Sequence, residues 1–236
     1  MTTTTRVTTR TVISCAATVL LASVLLATVL LARTAAAQDG PAPARVTDGI
    51  RLPAQSLSST DDASATLLNP ANLAFLPGPE LRFTLMQPGE ASTVPTRGYA
   101  VDLAVPLWVF ATGLRVDFMI PPDGAAFPFV VAKEGRRYNW VRWGTSVRLG
   151  EFASIGTTLA WSNAKTEQLH DLFSVSTGLT LRPIRHLSAS AVIRDWNTPE
   201  NSAGTRTEPS VDLATSIRPF WGQQLLELGI EGSYRS

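Results

Sequence analysis

Cysteine occurs once in the 236 residues, at Cys15, and histidine only twice, at His170 and His186. A single thiol excludes an intramolecular disulfide framework and a thiolate metal site, so burial and backbone pairing must hold the fold together. Lysine is nearly absent as well, present only as Lys133 and Lys165, and no Gly-x-Ser-x-Gly, phosphate loop or cluster of metal ligands occurs. An enzyme reading therefore has no residues to rest on, and no cofactor or metal is expected. The formal charge of +1 lacks the basic excess that nucleic acid attracts.

Long apolar runs are scarce too, with one exception. From Thr11 to Ala32 the chain is apolar and free of acids, preceded by Arg6 and Arg10 and followed by Ala35-Ala36-Ala37. This is the layout of an export signal, with Ala35 and Ala37 as the small residues of the cleavage site and Gln38 as the new N-terminus. An uncleaved anchor is the competing reading, because the run is long enough to span a bilayer. Cys15 stands near the start of the run rather than at its end, which argues against lipidation. Removal of residues 1–37 takes three arginines and no acid, bringing Lys+Arg from 20 to 17 against 19 Asp+Glu, a net charge of −2.

What the rest of the chain has in abundance is alternation. Residues 38–79 are expected to form a hatch-like or periplasmic segment: 38–55 carry proline and glycine and read as an extended entry, and Ser59-Thr60-Asp61-Asp62 ahead of a short apolar stretch predicts a capped helix of two turns ended by Pro70. From Glu80 the period becomes two. Leu81, Phe83 and Leu85 oppose Glu80, Arg82 and Thr84, and the same pattern recurs around Tyr99–Val105, Gly113–Ile120, Val141–Leu149, Ser154–Trp161, Phe173–Arg182, Leu187–Arg194, Val211–Arg218 and Leu226–Arg235. The polar rows are mostly Gly, Ser, Thr and charge, as a wet lumen would need.

Connection lengths order these nine segments. Those near Val105-Pro106-Leu107, Leu149-Gly150-Glu151, 183–186 and 219–224 are short, whereas those at 87–98, 119–137, 162–171 and 195–209 are long. Strict alternation of short and long connections is what antiparallel hairpins crossing a bilayer produce, and a Greek-key sandwich has no reason to keep it. The expected fold class is all-β, an antiparallel up-and-down transmembrane β-barrel of about nine strands. Export then implies the cell outer membrane, with its lipid as the main partner. Trp108, Trp140, Trp143, Trp161, Trp196 and Trp221 fall near strand ends, where an aromatic girdle belongs.

The stretch from Asp61 through Asn69-Pro70-Ala71-Asn72-Leu73-Ala74 to Leu81 resembles the start of barrels in the long-chain fatty-acid transporter family. In that family an Asn-Pro-Ala-Gly segment belongs to a small hatch inside the lumen, which implies the same role for Asn69, Pro70 and Ala71, with Asn72 replacing the usual glycine. Arg194-Asp195-Trp196-Asn197-Thr198-Pro199 is similar to the N-terminal barrel segment of long signal-peptide-peptidase-A-like proteins, whose catalytic serine and lysine lie in a separate domain. The first resemblance implies passage of hydrophobic or small anionic solutes. The second implies a structural or anchoring barrel segment of a longer protein, not itself catalytic.

Arg148, Arg182 and Arg218 are each the last inward residue before a short turn, so a ring of guanidinium groups is expected at one mouth, suited to anions or a carboxylate. The competing reading is arginines that snorkel to headgroups and brace turns. Asp61 and Asp62 read as helix caps, and the two histidines as ordinary loop residues. The count carries a further expectation. With nine strands, the first and last run in the same direction, so an open, curled sheet with unpaired ends is expected, completed by a missing C-terminal portion or a partner protein.

Overall fold

The structure, a computed structural model, describes residues 45–52, 55–87, 97–120, 137–200, 204, 206–219 and 226–235. The proposed signal, Cys15, Ala35, Ala37, Trp221 and most of the connections at 87–98 and 119–137 lie outside these residues. The chain is all-β. Nine antiparallel strands form one sheet in sequence order: β1 (Glu80–Met86), β2 (Gly98–Leu107), β3 (Phe110–Met119), β4 (Tyr138–Leu149), β5 (Ala153–Ala164), β6 (Phe173–Ile184), β7 (Leu187–Arg194), β8 (Ser210–Ile217) and β9 (Leu228–Arg235). Among the described residues β1 and β9 do not pair, so the sheet is not closed into a barrel, as the strand count leads one to expect.

Period-two patterning decides which face of the sheet is which, because a slip of one residue would exchange the two rows completely. Leu114 lies opposite Trp143, Trp143 opposite Leu159, and Val141 opposite Trp161, all outward. Phe83, Tyr99 and Phe118 stack along the outer surface, with ring centres 6.1 and 4.6 Å apart. The outer side chains are exposed or half-exposed, Leu81 at 74% and Phe83 at 65%. The inner row is the buried one: Asp102, Ser154 and Thr180 are 0% exposed. A water-soluble sheet buries its apolar rows; this one is reversed.

The inner row is covered by residues 45–52 and 55–76. Within them lie α1 (Ala65–Leu68) and a 3₁₀ helix (Pro70–Phe75), so the expected two-turn helix is one turn that continues beyond Pro70 in a tighter form. Proline starts the second piece rather than ending the first, because its missing N–H costs nothing at a helix start. Asn69 caps it by accepting from the Ala71 N–H at 3.1 Å, while the hydroxyl of Ser64 is drawn to Asp62 and caps nothing. Two other expectations are corrected here. The inward face is packed by protein rather than wet, and Trp140 points into that packing with no exposure instead of joining an outer girdle.

Nine strands laid flat would span roughly 38 Å at ordinary strand spacing. Yet the consecutive residues Asp61 and Asp62 pair with Arg218, just past β8, and with Arg82 in β1. The sheet must therefore be strongly curled for its two ends to reach neighbouring side chains. The first short turn falls at Trp108 and Val109, two residues later than Pro106 suggests. Pro106 sits inside β2, and β1 stops opposite Ala104, so it has no β1 partner to lose.

Candidate functional site

The interior is the region that gathers unusual chemistry. Glycines make room for it: Gly113 pairs with Gly144, and Gly156 with Gly178, on the inner row of β3 to β6. A Cβ on Gly156 would come 2.5 Å from the Pro70 carbonyl carbon and 2.6 Å from the Ala71 nitrogen. Thr66 and Leu73 lie against Gly113 and Gly144, and Asn69 against Gly178. The Asn69-Pro70-Ala71 segment is thus seated directly on a band of glycine.

Around this seat the contacts are specific. Asn69 donates to the Leu57 carbonyl at 3.0 Å and to Thr180 Oγ1 at 2.8 Å. Asn72 donates to the same carbonyl at 3.0 Å and accepts from Thr180 at 2.7 Å. The position where the resemblance would have glycine therefore carries a side chain that both its neighbours use. Thr158 Oγ1 donates to the Thr66 carbonyl at 2.8 Å.

Toward the long-connection end lies a buried ionic cluster. Arg115, 1% exposed, donates to Asp102 Oδ1 at 2.7 Å, and to Asp117 from Nε at 3.0 Å and from Nη2 at 2.7 Å. Arg142 also binds Asp117, and Asp117 accepts from the Ile50 N–H at 3.0 Å. Arg115 donates to the Ile50 carbonyl, and Arg142 to that of Thr47 at 2.7 Å. Trp140 Nε1 donates to the Val46 carbonyl at 3.1 Å. On the opposite wall Arg194 pairs with Asp212 and donates to the Leu67 and Leu68 carbonyls at 3.0 and 2.7 Å. Two arginines and two aspartates in one dry cluster leave no charge uncompensated, and the spare donors fasten the inner segment to the wall.

Parity alone places Asp102, Arg115, Asp117 and Arg142 on the polar row, but their convergence depends on the β2–β3–β4 register. That register puts Asp102 opposite Arg115, and Arg115 opposite Arg142.

The three arginines expected at one mouth do gather at the short-turn end, on terms set by the inner segment. Arg182 pairs with Asp61 at 2.5 Å and Arg218 with the same carboxylate at 3.0 Å. The Arg182 guanidinium lies 4.1 Å from the centre of the Phe75 ring, and that of Arg148 5.4 Å from it. Asp61 is therefore an ion-pair partner rather than a helix cap. Arg218, just beyond β8, also meets Glu227 at 3.0 Å. Burial pushes the Glu227 carboxyl up, but hydrogen bonds from Ser59 and Arg218 outweigh it and hold the group below the usual carboxylate range. A depressed carboxylate adds stability above its unfolded value and loses it as pH falls through the folded one, so this link opens only in acid.

A cleft of ≈ 760 Å³ opens beside these groups, bounded by Phe75, Phe152, Arg148, Arg185 and His186. Arg148 and Arg185 are exposed there. His186 Nδ1 lies 3.1 Å from the Arg218 carbonyl, while His170 sits at the far end beside Asp171.

No known protein family, curated protein or solved structure matches the chain. The resemblance to fatty-acid transporters thus stands on the stretch from Asp61 to Leu81, with Asn69-Pro70-Ala71 at its centre, and on the strand pattern. Among the described residues no helix is long and apolar enough to cross a membrane, which leaves crossing by strands untouched.

Proposed function

We propose that the chain is exported to the outer membrane and crosses it with its strands, as a structural or anchoring barrel segment with no catalytic role of its own. The observation that carries the membrane part is the reversed sheet. Exposed Leu, Val, Phe, Trp and Ile form the outer row of strand after strand, far beyond the isolated apolar residues a soluble monomer tolerates. Lipid removes that row from water at about 1.5–3 kcal/mol for each large side chain. The anchoring part rests on the filled interior, because Ile50, Leu68, Asn69, Asn72, Leu73, Arg115 and Trp140 are fully buried where a channel would be open.

A second reading, passage of hydrophobic or small anionic solutes, is favoured by the cleft at the arginine mouth and would require the inner segment to move. Planar-bilayer recording separates the two. The anchoring reading expects the intact chain to insert without ion conductance; steady anion-selective steps from the unaltered protein would favour passage.

A further inference from the structure

The cleft at the short-turn end holds more positive charge than its carboxylates answer. Asp61 is shared by Arg182 and Arg218, and Arg218 takes Glu227 as well. Arg148 and Arg185 are exposed, and among the described residues neither meets a carboxylate within ion-pair distance, although Glu151 lines the same cleft. Four arginines against Asp61, Glu151 and Glu227 leave a formal excess of one positive charge. Two of the guanidinium groups are moreover gathered round one ring, Arg182 at 4.1 Å and Arg148 at 5.4 Å from the centre of Phe75. The ring face attracts each cation, yet like charges brought together repel unless an anion joins them. Arg182 Nε is enclosed and has no acceptor. Between β4 and β6, the Phe152 carbonyl accepts from the Arg182 N–H at 2.6 Å, and its side chain lines the cleft with Phe75, Ile184 and Leu187. Cationic donors and an apolar wall thus share one cavity.

We infer that this cleft is a binding site for a phosphate oxyanion that carries an apolar group, with Arg148 and Arg185 as its charged donors. A guanidinium fork binds carboxylate and phosphate alike. The arrangement of the donors separates the two: Arg148 stands at the end of β4 and Arg185 in the turn between β6 and β7, so they approach from different elements. A planar carboxylate fills one fork, whereas the oxygens of a tetrahedral phosphate point in several directions and serve both. The apolar wall continues outward, since Ile184 lines the cleft and is also exposed on the outer surface, where Leu149 and Ile217 end neighbouring rows. In a bilayer this is the level of the headgroups, which makes a phospholipid one source of the phosphate and free phosphate the other. That placement rests on the membrane reading; the unanswered arginines do not.

The test uses the full chain refolded in maltoside micelles and titrated calorimetrically with dihexanoyl phosphatidylglycerol, inorganic phosphate and hexanoate, each corrected for its heat with protein-free micelles. A phosphate probe is expected to bind, and hexanoate about tenfold more weakly than the lipid or not at all. Arg185→Gln should weaken phosphate binding by about tenfold, and the pair Arg148→Gln, Arg185→Gln by more, because each removes a charge-assisted donor. Arg185 holds no ion pair, so its single replacement leaves the fold in place and keeps the test open if the pair does not refold. Arg206→Gln, remote and exposed, should change nothing. Lipid binding tighter than inorganic phosphate assigns the site to a headgroup, and equal binding to free phosphate; both uphold it. Binding of neither phosphate, hexanoate as tight as the lipid, or an affinity unmoved by Arg185→Gln would each overturn the proposal. Failure of the membrane reading is seen separately, in whether the chain enters lipid vesicles.

Discussion

Asp117 shows how much a single buried side chain is asked to do. It accepts from Arg115, from Arg142 and from the Ile50 N–H, so it ties β3 to β4 and both to the inner segment. Its replacement would leave two guanidinium groups in the interior with Asp102 as the one carboxylate still paired to either and Asp48 acting on Arg142 from further off. Breaking one partner out of a buried ion cluster costs about 3–5 kcal/mol, far more than the cluster contributes over an apolar equivalent. Asp117→Ala is therefore expected to destabilise the fold by about that amount, read from urea unfolding in micelles, whereas Glu200→Ala, which removes an exposed pair with Arg206, should change little. Residue types and their parity made these groups visible as polar-row positions; which of them meet was hidden, because register is a property of two strands and not of either alone.

At the scale of elements, the strands were legible because alternation is a local signal repeated nine times. Their ends were less so, since Pro106 and Gly98 lie inside β2 where composition suggests turns. The inner segment was hardest to read. Its polar groups look like caps and turns in isolation, and only the opposing wall shows that Asp61 serves Arg182 and Arg218, or that Asn72 serves Thr180. The glycine band makes this fit testable. Gly156→Ala would drive a methyl into the Pro70–Ala71 backbone, which cannot yield as a flexible side chain would, and should cost about 1–3 kcal/mol. Gly229→Ala meets only ordinary contacts at 3.5 Å and serves as the control that should be tolerated, both measured by thermal unfolding of the reconstituted protein.

For the whole molecule, the defining property is that the apolar side of the sheet is outside and the ionic side is inside, wrapped on a segment that fills it. On the proposed reading lipid covers that outer side, and the packed interior supports an element that stays in place over one that conducts. Trp143 is placed to report on the surroundings, since it stands on the outer row of β4 with Val141 and Val147 while Trp140 on the same strand is buried. The decisive measurement is tryptophan fluorescence of the reconstituted chain in vesicles whose acyl chains carry bromine near their midpoint, compared with Trp143→Phe. Strong quenching in the unaltered chain that falls in the variant, with the remainder carried by Trp161 on the same outer row, is the result expected of an outer row in contact with lipid. Emission indifferent to bromine, with the protein recovered in the aqueous phase, would contradict it.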